Sequence, residues 1–167
     1  MKRIIALSIA ACLFSSSAYA NMNIVVLDTV RAILETEEAK VLIKAAETEL
    51  EPENQDLQKL ADELKALQEK FNKDRDVLSA TEQADMAKQS EDLRIDIQFG
   101  QQKLQKAVQD KRQEIIRALA PKFEKVRNDL IEVEGYDMIL APNALLYVNP
   151  RNDITRKVTE RMNEQKD

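Results

Sequence analysis

The chain has 167 residues, 33% of them charged and 44% hydrophobic, but only 4% aromatic, with 2 Gly, 4 Pro and no His or Trp. A formal charge of -5 argues against nucleic-acid binding, which needs a surplus of Lys and Arg against the phosphate backbone. Scarce Gly and Pro beside abundant Ala, Glu, Lys, Leu, Arg and Gln point to long helices with few turns.

The first residues read as an export signal. Lys2 and Arg3 precede an apolar run from Ile4 to Phe14 broken only by Ser8, and Ala18-Tyr19-Ala20 supplies the small-x-small cleavage pattern. The run is too short for a permanent membrane span. Cleavage after Ala20 is expected, with residues 1–20 removed. A lipoprotein box at "IAAC" (9–12) is the competing reading, but the apolar stretch before Cys12 is very short. Cys12 is the only cysteine, so the mature chain, 21–167, forms no disulfide and depends on packing.

"NIVVLD" (23–28) reads as a strand buried on both faces. A heptad pattern follows: Ile43, Leu50, Leu57, Leu64, Phe71 and Leu78 fall seven apart, with Ala39, Ala46, Leu60 and Leu67 between them. Glu53 and Asp74 are out of place in this seam. Pro52 predicts a kink or a broken turn near 48–52. "LSATEQ" (78–83) offers a capping box in Ser79 and Glu82, with Thr81 as the alternative cap. A second helix is expected over about 82–132, with Met86, Leu93, Ile97, Leu104, Val108, Ile115, Leu119, Phe123, Val126 and Leu130 on its apolar side and weak points at Gly100 and Pro121.

A short turn makes the two helices antiparallel neighbours. Charge favours the same pairing. Residues 35–63 hold ten acids against three Lys, and residues 101–127 hold eight bases against three acids. Folding the chain at residue 80 sets the acidic arm beside the basic one. Beyond it, "YDMIL" and "LLYV" around "APN" read as a β-hairpin within 134–149. Asp153 can cap a last helix carrying Ile154, Val158 and Met162 on one side.

Fewer than sixty residues remain for the compact part, too few for a secure core without disulfide or metal. Three strands also leave open edges. Association of several copies is the expected remedy. The predicted organisation is mainly α with a small β body: a β-rich oligomerisation body from 21–35 and 131–167, including the last helix, and an antiparallel coiled-coil arm over 36–130 with its tip near 78–82.

"NIVVLDTVRAIL" (23–34), the charged hairpin and "YDMILAPNALLYVNPRNDITRKVTERMN" (136–163) together resemble the Skp (OmpH) family of periplasmic chaperones. The resemblance implies a homotrimer whose β-barrel body carries three helical tentacles around a cavity. It implies an ATP-independent holdase that keeps unfolded outer-membrane proteins soluble, with the outer-membrane assembly machinery as a further partner. By resemblance, Ile24, Val26, Met138, Leu140, Leu146 and Val148 belong to the trimer body. The acidic balance departs from the basic arms of well-known members and speaks against lipopolysaccharide or anionic-lipid binding.

Such a role needs many weak, replaceable apolar contacts on arms that bend. Met86 and Phe99 are the candidate client contacts, Phe99 being off the seam; Pro52, Gly100 and Pro121 are the candidate bending points. Catalysis is not expected, since the mature chain lacks His and Cys and only Gly100 and Gly135 could serve a phosphate loop. No cofactor or metal is implied. The competing class is a structural coiled-coil spacer or adaptor of the envelope, which heptads alone also permit.

Overall fold

A computed structural model describes residues 22–165. The expected signal peptide 1–20, with Cys12, lies outside the described residues. The elements in chain order are β1 (Ile24–Val26), α1 (Thr29–Leu34), α2 (Glu37–Asp74), α3 (Ala80–Glu134), β2 (Met138–Leu140) and α4 (Thr155–Glu164). Single turns of 3-10 helix occupy Pro142–Ala144 and Pro150–Asn152.

Thr36 separates α1 from α2. Its buried hydroxyl donates to the Ile33 carbonyl at 2.7 Å and accepts the Ala39 N–H at 3.1 Å, ending one helix and capping the next. Glu37 and Glu38 then occupy the first turn of α2, where the helix dipole favours negative charge. With 38 and 55 residues, α2 and α3 extend roughly 57 and 83 Å.

The chain reverses over residues 75–79. The Ser79 and Glu82 capping box is formed: Glu82 Oε2 accepts the Ser79 N–H at 2.8 Å, and Ser79 Oγ accepts the Glu82 N–H at 3.3 Å. Gln83 Nε2 donates to the Arg75 and Leu78 carbonyls, both at 3.2 Å, closing the turn onto α3. The heptad residues of α2 face α3, half-buried from Ile43 to Leu78, with Ala39 buried and Glu53 turned to solvent. Two long-range ion pairs fix the register, Lys122 to Glu38 and Lys111 to Glu49, each at 2.8 Å. Both pairs are symmetric about residue 80, the fold point inferred from the charge pattern.

Two local expectations need correction, and a third gains a structural meaning. The broken turn near 48–52 is absent: α2 runs unbroken through Pro52. Gly100, expected as a weak point of α3, is a point of close approach. An ideal Cβ there would lie 2.5 Å from Leu57 Cδ2, so the missing side chain makes room for a seam leucine. Val108, expected on the apolar side of α3, is 51% exposed, and Ala107 takes its seam position half-buried.

The body gathers both ends of the chain on the base of α3. Val25, Leu27, Ala32 and Ile33 pack with Ile115, Leu119, Phe123, Val126 and Leu130, and with Ile154, Val158 and Met162 of the last helix. The core thus reaches well up α3. The N-cap position of α4 is Ile154, which has no capping side chain, and not the expected Asp153; Asp153, one residue earlier, accepts the Thr155 N–H at 2.9 Å. Buried Thr159 donates to the Ala32 carbonyl at 2.9 Å, and the Asp28 N–H donates to Thr155 Oγ1 at 3.0 Å, so α1 and α4 are tied by polar as well as apolar contacts.

The sheet differs from the expected hairpin. β1 pairs in parallel with β2, Ile24 opposite Met138 and Val26 opposite Leu140. On its other edge β1 makes a parallel bridge to Asp153, the Ile154 N–H donating to the Val26 carbonyl at 2.9 Å. Parallel strands need a long crossover, and the helical hairpin supplies it. Residues 145–148, read as the second hairpin strand, form no ladder. After the turn at Pro142–Ala144 the chain leaves extended, with Leu146 109% and Tyr147 78% exposed. Its apolar, strand-forming residues have no partner within one described chain. The first strand is also not wholly enclosed: Val25, Val26 and Leu27 are buried, but Ile24 is 37% exposed.

Because both prolines sit inside unbroken helices, each leaves the carbonyl four residues earlier without its backbone donor. Pro52→Ala and Pro121→Ala are therefore expected to raise the unfolding free energy, each by up to about 3 kcal/mol, and with it the denaturation midpoint. Urea unfolding followed by circular dichroism checks this; an unchanged midpoint contradicts it.

Candidate functional surfaces

Of the six residues expected in the trimer body, Val26 is buried in the chain's own core, and Leu140 and Val148 are half-buried. Ile24, Met138 and Leu146 are exposed, by 37%, 42% and 109%. Ile24 and Met138 are ladder partners, so their side chains stand together on one face of the sheet. The body therefore presents an apolar sheet face and, nearby in sequence, an extended apolar segment without a ladder.

On the arm, the two expected client contacts separate. Met86 is 9% exposed and packs as a seam residue near the tip, so it offers little surface to a partner. Phe99 is 69% exposed. Ile95, one turn earlier, is 55% exposed on the same side of α3, and sequence reading missed it. The signal was available, since Ile95 and Phe99 are both off the seam and spaced i, i+4. Gly100 and Phe99 are neighbours with opposite placements, one facing Leu57 and the other facing water.

The electrostatics are those of a scaffold. A hydrogen bond to Glu49 raises the Lys111 ammonium above its ordinary pKa, and one to Glu134, at 2.7 Å, does the same for Lys157. Burial pushes the Asp153 carboxyl up, but hydrogen bonds from the Thr155 hydroxyl and N–H and from Arg31, at 2.8 Å, outweigh it and leave the pKa lowered. Among the described residues no cluster of His, Cys, Asp and Glu is arranged to hold a metal ion, and no helix is long and apolar enough to cross a membrane. Every fully buried side-chain nitrogen or oxygen described has a hydrogen-bond partner.

The family model described as "Outer membrane protein (OmpH-like)" matches residues 23–162, spanning β1, the whole helical hairpin and most of α4. The chain belongs to the OmpH-like family. It is 34% identical over 158 residues to the "Skp-like protein" of Pseudomonas aeruginosa, covering 93% of this chain and 92% of that one. It is 22% identical over 165 residues to the "Chaperone protein Skp" of Yersinia enterocolitica, covering 96% and 98%. A crystal structure of an OmpH-like protein from Caulobacter crescentus superposes with a TM-score of 0.54 at 16% identity, over 86% of this chain and 85% of the other. At that identity it speaks for the OmpH-like fold: long helices and little strand.

Asp153 links α1 to α4 through Arg31 and Thr155, and its lowered pKa sets a pH dependence. The carboxylate stabilises the fold above the unfolded-state pKa, near the ordinary 3.8. That stabilisation is lost as pH falls through the lower, folded-state value. Asp153→Asn is expected to lower stability at neutral pH and to flatten the acid limb of the stability curve. Denaturation midpoints between about pH 2 and pH 7 test this; an unaltered acid limb excludes Asp153 as a contributor.

Proposed function

We propose that this protein is a periplasmic, ATP-independent holdase that keeps unfolded outer-membrane β-barrel proteins soluble between the arms of a homotrimer. The observation that carries the reading is the combination of an unfinished body with a long arm. Residues 145–148 join no ladder, with Leu146 and Tyr147 exposed, and Ile24 and Met138 form an exposed apolar pair beside the open edge of β2. Neighbouring copies would cover this surface and complete the sheet. The names of the Pseudomonas and Yersinia relatives support the chaperone role, and the outer-membrane assembly machinery would be the natural recipient of the client.

The arms suit loose capture. Ile95 and Phe99 form an apolar spot on a surface otherwise rich in charge, large enough for a weak contact and too small to fix one pose. Several such spots, gathered by oligomerisation, would act at high effective concentration. The signal at residues 1–20 would deliver the chain to the periplasm. No cofactor enters this reading, and the acidic balance gives no support to anionic-lipid binding.

Dilution of a urea-unfolded outer-membrane β-barrel protein into buffer with the mature chain tests it. Light scattering should stay low at near-stoichiometric ratio without ATP, whereas a coiled-coil spacer would leave the client to precipitate. Replacing both Ile95 and Phe99 with Ser should weaken client affinity about tenfold, the order expected from losing burial of two half-covered apolar groups, with the oligomer unchanged. Leu146→Asp with Tyr147→Asp should instead lower the mass measured in solution; a mass that does not change would remove residues 145–148 from the interface.

A further inference from the structure

The seam between α2 and α3 is interrupted once near its root. Glu53, at a seam position of α2, turns to solvent, and Lys111, at a seam position of α3, spends its length reaching Glu49. From Lys111 onward the inward residues of α3 change spacing: Ile115, Leu119 and Phe123 follow at steps of four instead of the alternating three and four. The inward stripe of α3 therefore drifts around the helix relative to the seam of α2 from this point toward the root.

The result is a cleft of about 820 Å³ between the helices. Its floor is apolar, built from Leu34, Ile43, Leu50, Leu104, Val108 and Ile115. It spans residues 43–54 on α2 and 104–115 on α3, a length of roughly 16 Å. Val108 is half exposed here because it faces this opening and not the seam.

We propose that the cleft is a client subsite that takes one face of an extended, strand-like segment of an unfolded β-barrel protein. This rests on the holdase reading and places capture between the two helices of one arm, in addition to the arm surface. Length favours a strand: roughly 16 Å admits about five extended residues, three of which point the same way. Membrane β-strands alternate apolar and polar side chains, so three successive apolar groups would meet the floor while the polar face stayed in water.

Charge selects a peptide over an anionic amphiphile. The lips carry both signs: Lys44, Glu47 and Glu51 on α2, with Lys44 paired to Glu47 at 3.4 Å, and Lys111 and Arg112 on α3. Glu51 is held only by the neutral Gln55 amide, at 3.1 Å, and Arg112 on the α3 lip has no ion pair among the described residues. A polypeptide can offer polar groups of either sign to these two lips; a lipid with a single anionic head cannot.

The test uses the mature full-length protein and a urea-unfolded outer-membrane β-barrel protein as the probe. A photo-crosslinking residue at Val108 should give client adducts, and one at Gln109, turned about 100° around the helix, should give few. Val108→Glu, which places charge on the floor, and Thr48→Trp, which fills the opening without charge, should each weaken client affinity about tenfold. Helicity and oligomer mass should remain those of the parent. Two variants of opposite chemistry guard against a folding defect in either. Parent-like affinity in both variants, or equal crosslinking at Val108 and Gln109, overturns the subsite while leaving the holdase reading intact. Failure of the parent protein to hold the client soluble overturns that reading first. Displacement of the client from the Val108 crosslink by dodecanoate, with saturable binding of dodecanoate itself, would reassign the cleft to an anionic amphiphile and likewise overturn the proposal.

Discussion

Everything in this molecule depends on a three-residue parallel pairing between β1 and β2, closed across the entire helical hairpin. Parallel strands cannot be joined by a tight turn, and here the crossover is an arm tens of ångströms long. The pairing therefore demands that α2 and α3 travel out and back in register. The Ser79 and Glu82 box fixes where the return begins, the seam fixes which faces meet, and Glu38 with Lys122 holds the root. Asn23 finishes the closure: its amide nitrogen donates to the Glu134 and Gly135 carbonyls, and its backbone N–H donates to Asp137 Oδ2 at 2.7 Å. Gly135, at φ 64, ends α3 in the left-handed conformation that lets the chain turn into β2.

The body is small, and its stability is drawn from the arm's base as much as from its own residues. Ile115 to Leu130 give the core one long wall, against which α1 and α4 pack from the two ends of the chain. Above that wall the seam of the arm is mostly half-buried along its length, with Met86 buried near the tip. The exposed ion pairs along it add little each; their use lies in biasing one register over its neighbours.

Much of this was legible in the sequence because it depends on local or periodic signals. The heptads of α2 run to Leu78, the Ser79 cap and the acidic-basic pairing about residue 80 are all set by spacing, and they appear as read. The side shared by Ile154, Val158 and Met162 is another such case. What stayed hidden depends on long-range partners. "LLYV" has strand-forming residues, but a strand is made by its neighbour, and no neighbour exists within one described chain. The parallel β1–β2 pairing carries no local mark. The close approach at Gly100 was hidden because glycine signals flexibility and close approach equally, and only the position of Leu57 reveals the second. The misplaced Glu53 was visible in the sequence, but the cleft also depends on how Lys111 in the opposite seam reaches Glu49.

The separation of β1 from its partner by 114 residues sets the order of events at birth. Synthesis delivers the opening strand long before Met138 exists, and until the base of α3 follows, Val25 and Leu27 lack the wall they pack against in the folded core. The limb can zip from its tip as soon as both halves are available, since its contacts are close in sequence there and loop closure is cheapest. The trunk comes last. A nascent chain of this design is for most of its elongation an incompletely folded polypeptide with bare aliphatic residues, in the same condition as the substrates it would later shelter.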